Sequence, residues 1–279
     1  MSVPAEPYEI RVPAVQETPL LVSIPHTGTY VPPGIEAQFA SAYIRGLPMT
    51  DWHLHHLYDY LPDLGATTIY ATYSRFVADL NRAPDDAPLY PGRFETGFVA
   101  LKTFWGEEIY RTMPDAREIE RRRQLVHAPY HRKLRELLQM KIRKFGRAVL
   151  IDVHSVASRA NLLHGPLTDD IFLGDRDGRS NSGWLTEVAE AAFRAQGFRV
   201  ARNRPYKGGY ITDHYGKQDT VEALQIEMCE RVYMDEQDPA GALMYRGFVP
   251  AKKQIQSVLQ AVSDETVRRS SGWRHATDS

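Results

Sequence analysis

Three apolar runs of strand length each end at a polar residue able to do chemistry. They are Pro19-Leu-Leu-Val-Ser-Ile-Pro-His26, Ala148-Val-Leu-Ile-Asp152-Val-His154-Ser155 and Ala223-Leu-Gln-Ile-Glu227-Met. Such short, nearly unbroken apolar runs predict strands buried on both faces, and sheets built from them gather ligands at their strand ends. Further strands are predicted over Thr67 to Tyr73, Asp170 to Leu173 and Arg199 to Arg202. Helical patterns fill the gaps: Met49 to Leu61, Asp115 to Phe145, Ser182 to Gln196 and Pro250 to Ala261. In the second of these, Ile119, Leu125, Leu134, Leu137, Leu138 and Ile142 form an apolar stripe on a charged surface. Strands alternating with helices predict an α/β fold in three layers, a mixed but mainly parallel sheet with helices on both faces. No repeat, linker or composition shift divides the chain. We therefore expect a single domain over residues 1–279, with residues 1–17 as an N-terminal extension and residues 267–279 as a disordered tail.

The strand ends carry the candidate chemistry. His26 leads into Thr27-Gly28-Thr29, a turn in which the glycine lets backbone approach a ligand closely. His154 lies two residues after Asp152, so strand alternation puts both on one face and lets the carboxylate orient the imidazole. Asp51 opens a predicted helix, either as a third ligand or as the residue that caps its free N–H groups. Two imidazoles and a carboxylate suit a divalent cation, zinc first, with manganese, iron and cobalt also compatible. His53, His55 and His56 lack the i, i+4 spacing that puts two ligands on one helix face, and read as packing or surface residues. Glu227, at the end of its apolar strand, is placed to act as general base toward water at such an ion. Gln225 shares its strand face.

Ser74 to Arg82 brings Arg75, Asp79, Asn81 and Arg82 directly after a strand. Guanidinium groups bind carboxylates with a two-pronged fork, so an acidic small molecule is the expected ligand, with Asp79 as a supporting carboxylate. Lys207 to His214 reads as a glycine-hinged loop over that ligand, with Tyr206, Tyr210, Thr212 and His214 as substrate contacts. The long Pro- and Gly-rich stretch Arg82 to Gly97 is expected to border the same site.

Composition removes other classes. With 34 basic and 35 acidic residues the formal charge is -1, which gives no electrostatic reason for nucleic acid or an anionic membrane as partner. Neither a leader pattern at Met1 to Pro7 nor an apolar run of membrane-spanning length occurs, so we expect a cytoplasmic protein. The single cysteine, Cys229, excludes an internal disulfide and reads as core packing. No Gly-x-Ser-x-Gly elbow, dinucleotide fingerprint or P-loop is present.

Six ordered segments then carry a resemblance. Ser23-Ile-Pro-His26-Thr-Gly, Thr50-Asp51-Trp52, Ser74-Arg75-Phe-Val-Ala-Asp79-Leu-Asn81-Arg82, Ile151-Asp152-Val-His154-Ser155, Pro205-Tyr-Lys-Gly-Gly-Tyr210 and Leu224-Gln-Ile-Glu227 resemble the motifs of the N-formylglutamate amidohydrolase family, over roughly residues 18 to 236. The resemblance implies an α/β hydrolase similar to the zinc carboxypeptidase and aspartoacylase groups. It implies hydrolysis of N-formyl-L-glutamate to glutamate and formate, late in histidine degradation. It further implies that His26, Asp51 and His154 are metal ligands, Glu227 is the base, and Arg75, Asn81 and Arg82 bind substrate carboxylate. Two other readings are compatible with the same residues: a hydrolase of another N-acyl amino acid or small peptide, and a non-catalytic binder of acidic metabolites.

Overall fold

The computed structural model describes residues 6–88, 92 and 94–273, and its described residues form one seven-stranded sheet. The strands are β1 (Tyr8–Arg11), β2 (Leu20–Ile24), β3 (Thr67–Ala71), β4 (Ala148–Val156), β5 (Ile171–Gly174), β6 (Val200–Arg202) and β7 (Val221–Cys229), in spatial order β1-β3-β2-β4-β7-β5-β6. β2 pairs parallel with both β3 and β4, β4 with β7, and β5 with β6; β1–β3 and β5–β7 are antiparallel. The chain leaves β2 for β3 on one side, while β4 closes on the other. A crevice forms beyond strand ends where connections diverge in this way, and the two candidate histidines lie there, His26 two residues past β2 and His154 two residues before the end of β4.

Alternation along the strands feeds two cores. Leu20, Val22, Val149, Ile151, Leu224 and Ile226 face one side; Leu21, Ile69, Leu150 and Ala223 face the other. The helices are α1 (Pro33–Glu36), α2 (Ala42–Arg45), α3 (Leu54–Leu57), α4 (Ala116–Arg122), α5 (Ala128–Phe145), α6 (Trp184–Ala195), α7 (Tyr210–Gly216) and α8 (Phe248–Trp273). α6 and α8 supply Leu185, Phe193, Ile255 and Leu259 to the first core, and α5 and α7 supply Leu134, Leu138, Ile211 and Tyr215 to the second. By the same alternation Ser23, Asp152, His154, Gln225 and Glu227 stand on the α5 and α7 face. None of the described helices is long and apolar enough to cross a membrane.

Three expectations change. The helix predicted over Met49 to Leu61 is only the single turn α3, followed by a 3-10 turn at Leu61–Leu64, because His53 adopts a left-handed φ of 58° and breaks the pattern. The tail from Val267 is helical to Trp273: Ser263, Thr266 and Ser270 are buried and continue the stripe of Ile255, Leu259 and Val262 beyond its apolar part. Residues 274–279 lie outside the described residues. The supposed extension contains β1, held by Arg11 Nη1 donating to His55 O at 2.5 Å, while residues 1–5 lie outside the described residues. Between Arg82 and Gly97, residues 89–91 and 93 are likewise outside them.

Candidate metal centre and active site

His26 follows β2 after Pro25, in a turn where Gly28 packs against the Thr72–Tyr73 backbone. The next segment is tied to it, since Asp51 N donates to His26 O at 3.1 Å. Asp51 caps no helix. Its Oδ2 accepts from Ser155 N at 3.1 Å, which draws the carboxylate across to the end of β4 beside His154. His26 Nδ1 and His154 Nδ1 face each other at 3.1 Å, and Asp51 Oδ2 lies 3.7 Å from the first and 3.4 Å from the second. One donor atom from each residue falls within 4.8 Å of the others, and all three side chains are buried.

The outer side of each imidazole is also engaged. Asp79 Oδ1 lies 2.7 Å from His26 Nε2, and Asp152 Oδ2 lies 2.8 Å from His154 Nε2. A carboxylate only accepts, so each Nε2 carries the hydrogen and each Nδ1 presents its lone pair inward. Two nitrogen lone pairs and a carboxylate oxygen crowded into a buried space repel unless a positive charge sits among them. These residues therefore fit a divalent ion, with carboxylates behind both histidines in the usual supporting place. Burial opposes ionisation of Asp51, yet bonds from His154 and His26 hold its carboxyl well below the usual range. Burial likewise opposes charge on His154, but Asp152, Asp51 and Glu227 outweigh it and raise the imidazole well above its ordinary value. Without an ion, the same negative surroundings favour a proton on His154, which a bound cation would displace.

The triad opens into a cavity of about 360 Å³, the right scale for a small metabolite. Glu227 lines it, directly opposite His154 in the β4–β7 register. Burial, with help from Asp51 and Asp152, pushes the Glu227 carboxyl up to about 8 against the pull of His154 and Arg75. Gln225 Nε2 donates to Glu227 Oε2 at 3.0 Å, and Gln225 Oε1 accepts from Gly209 N at 2.7 Å, so one amide joins the Glu227 carboxyl to the loop that ends at Gly209. Arg75, Asn81 and Arg82 all line the cavity. Arg75 is partly committed, with Nη2 on Asp79 Oδ2 at 2.7 Å and its guanidinium over Phe104, but its buried Nε has no partner among the described residues. Arg82 donates to Asn81 O at 3.1 Å and Thr96 Oγ1 at 3.3 Å, and among the described residues it pairs with no carboxylate. Asn81 Nδ2 lies 3.1 Å from His154 Nε2, while its Oδ1 accepts from Ile211 N at 2.8 Å.

Three expected contacts lie elsewhere. Tyr210, Thr212 and His214 sit on α7, which begins where a loop was expected because Asn81 Oδ1 satisfies its first turn. None lines the cavity: Thr212 is fully buried, and Tyr210 and His214 stack on each other. The preceding loop takes their place with Pro205, Tyr206, Lys207, Gly208 and Gly209. Tyr206 presents a buried hydroxyl with no partner among the described residues. His53, His55 and His56 keep away from the triad; His55 Nδ1 meets Thr27 Oγ1 at 2.7 Å and its ring stacks on Tyr70. Cys229 is buried, as read from the sequence. Two contributors had no assigned part. Ser23 Oγ donates to Asp152 Oδ1 at 3.0 Å, a contact that strand alternation could have signalled because Ser23 pairs with Asp152 in register. Phe104 lies in a stretch with no pattern that pointed to it.

The family model for N-formylglutamate amidohydrolase matches residues 18–234, a span that contains every residue of this site. An N-formylglutamate deformylase of Pseudomonas aeruginosa is 41% identical over 225 residues, covering 79% of this chain and 84% of the relative. Another, of Pseudomonas putida, is 36% identical over 250 residues, covering 88% and 92%. Among solved structures, N-formylglutamate amidohydrolase from Ralstonia eutropha JMP134 superposes with a TM-score of 0.79 at 28% identity, covering 94% of this chain and 99% of that one. With a family match over most of its length and two relatives above a third identical, the chain belongs to the N-formylglutamate amidohydrolase family.

Proposed function

We propose that this chain hydrolyses N-formyl-L-glutamate to L-glutamate and formate, with a divalent ion, zinc first, held by His26 Nδ1, His154 Nδ1 and an Asp51 carboxylate oxygen. The observation that carries the reading is the convergence of those three buried acceptors opposite Glu227, in one cavity lined by two arginines. When bound, the ion supplies a Lewis acid and lowers the pKa of water. The remaining work falls to the chain. Glu227 takes the proton from the attacking water and returns it to the departing amine, so one water is consumed as the formyl C–N bond breaks. Arg82, and the free Nε of Arg75, bind substrate carboxylate and fix the formyl carbon above the base. Asp79 and Asp152 keep both imidazoles in the Nε2–H form. The products suit the closing step of cytoplasmic histidine breakdown, the setting the family resemblance implies.

The test is metal analysis of purified protein, then chelation and re-addition of zinc, manganese, iron or cobalt. Formyl, acetyl and succinyl derivatives of glutamate and aspartate are assayed side by side. The expected outcome is formate release from N-formylglutamate that is lost on chelation and restored by metal. Full activity in rigorously metal-free protein overturns the metal assignment, and preference for another acyl derivative overturns the substrate.

A further inference from the structure

The helix formed by α4 and α5 is not continuous α-helix. Between them Arg123–His127 forms a π-helical turn, in which each N–H reaches back one residue further than in an α-helix. Five residues of regular α-helix would put His127 about 140° around the axis from Arg122. The wider turn brings them round toward one face, and His131 follows four residues later. All three are buried, and each meets a backbone carbonyl of the segment that carries Arg75, Asp79, Asn81 and Arg82. Arg122 Nη1 donates to Phe76 O at 3.4 Å. His131 Nε2 meets Leu80 O at 2.8 Å, and His127 Nε2 meets Arg82 O at 3.0 Å. A carbonyl only accepts, so both imidazoles are Nε2–H donors.

The last two bonds bracket Asn81 and Arg82. The carbonyl of Leu80 belongs to the peptide plane entering Asn81, and that of Arg82 to the plane leaving Arg82. Holding both planes restricts the backbone torsions of the two residues between them, and with these the direction of the Asn81 amide and the Arg82 guanidinium. Neither histidine lines the cavity. We propose that His127 and His131 are positioning residues for substrate binding, acting through the Asn81–Arg82 backbone, and that the π turn aligns them for it. This rests on the reading of Arg82 as a substrate-carboxylate binder.

Steady-state kinetics of metal-loaded protein with N-formylglutamate tests it, using H127F, H127Q, R82M and the double variant R82M/H127F. Phenylalanine keeps the ring packing against Phe98 and His131 but removes the N–H; glutamine restores a donor. We expect H127F to raise KM about tenfold with kcat within about threefold and metal content unchanged, and H127Q to recover most of the loss. Because His127 acts through Arg82, adding H127F to R82M should raise KM by less than about twofold. An unchanged KM in H127F, or effects that multiply in the double variant, overturns the proposal. If R82M itself leaves KM unchanged, the failure lies in the carboxylate-binder reading of Arg82. Should H127F not fold, H131F carries the same cycle through Leu80 O.

Discussion

His154 and Glu227 stand opposite one another on neighbouring parallel strands, both on the sheet face that opens into the cavity. On the proposed reading, one imidazole turns its Nδ1 to the ion while the carboxyl beside it faces the attacking water. Glu227→Gln removes the proton acceptor and keeps the shape. We expect kcat to fall by about 10²–10⁴ while metal content stays near that of the parent protein. Elemental analysis alongside the assay decides this, since loss of metal in the variant would make Glu227 a ligand.

Asp152 holds His154 Nε2 and is itself held by Ser23. Asp152→Asn can present an N–H to the imidazole and so disturb the tautomer that aims Nδ1 inward. A loss in metal affinity of about 10- to 100-fold is expected, measured by competition with a chromogenic chelator. Parent-like affinity would mean that Asp152 does not orient the ligand.

Burial pushes the His127 imidazole down to about 4, against upward pulls from its bond to Arg82 O and from Asp79. The folded value lies below the ordinary 6.5, so as pH falls the unfolded chain takes up the proton first. This contribution to stability is complete above the unfolded value and is lost as pH falls toward the folded one. Between pH 7.5 and 5 the parent protein should lose about 2 kcal/mol more than His127→Phe in urea unfolding of metal-free samples. Parallel pH dependence in the two proteins would refute a neutral buried His127.

At Gly28 an added Cβ would run into Tyr73 O and the Thr72–Tyr73 backbone, atoms that cannot move aside without shifting the end of β3. Gly28→Ala should cost more than about 2 kcal/mol and lower metal occupancy with it, because the same turn carries His26. Thermal melting and metal analysis read both; a variant matching the parent in each would show that the turn is more pliable than this packing implies.

The sheet was legible where burial on both faces left an unbroken apolar run, as in β2, β4 and β7. It was illegible in β1, whose Tyr8-Glu9-Ile10-Arg11 is short and half-exposed at a sheet edge. That His26, His154 and Glu227 meet at one cavity could be read from the sequence, because strand ends announce themselves. Asp51 could not be separated from a helix cap, since the partner that draws it toward His154, Ser155 N, lies 104 residues away. Tyr210, Thr212 and His214 were misplaced for a similar reason: the bond from Ile211 N to Asn81 Oδ1, 130 residues apart, starts α7 and carries them off the cavity wall. One local mark accompanies the π turn: Pro129, two residues past it, has no N–H to donate back along an α-helix. Its residues are ordinary helix formers, and what distinguishes them is the loop they hold.

β1 lies along the outer margin of β3, and β3 leads by way of Tyr73 into the segment bearing Arg75 and Asp79. A chain trimmed before Val12 would uncover that margin and leave a row of backbone donors and acceptors without partners. Two such molecules could then zip together edge to edge, so shortening the amino terminus should produce aggregates seeded at the strand that leads into the cavity wall.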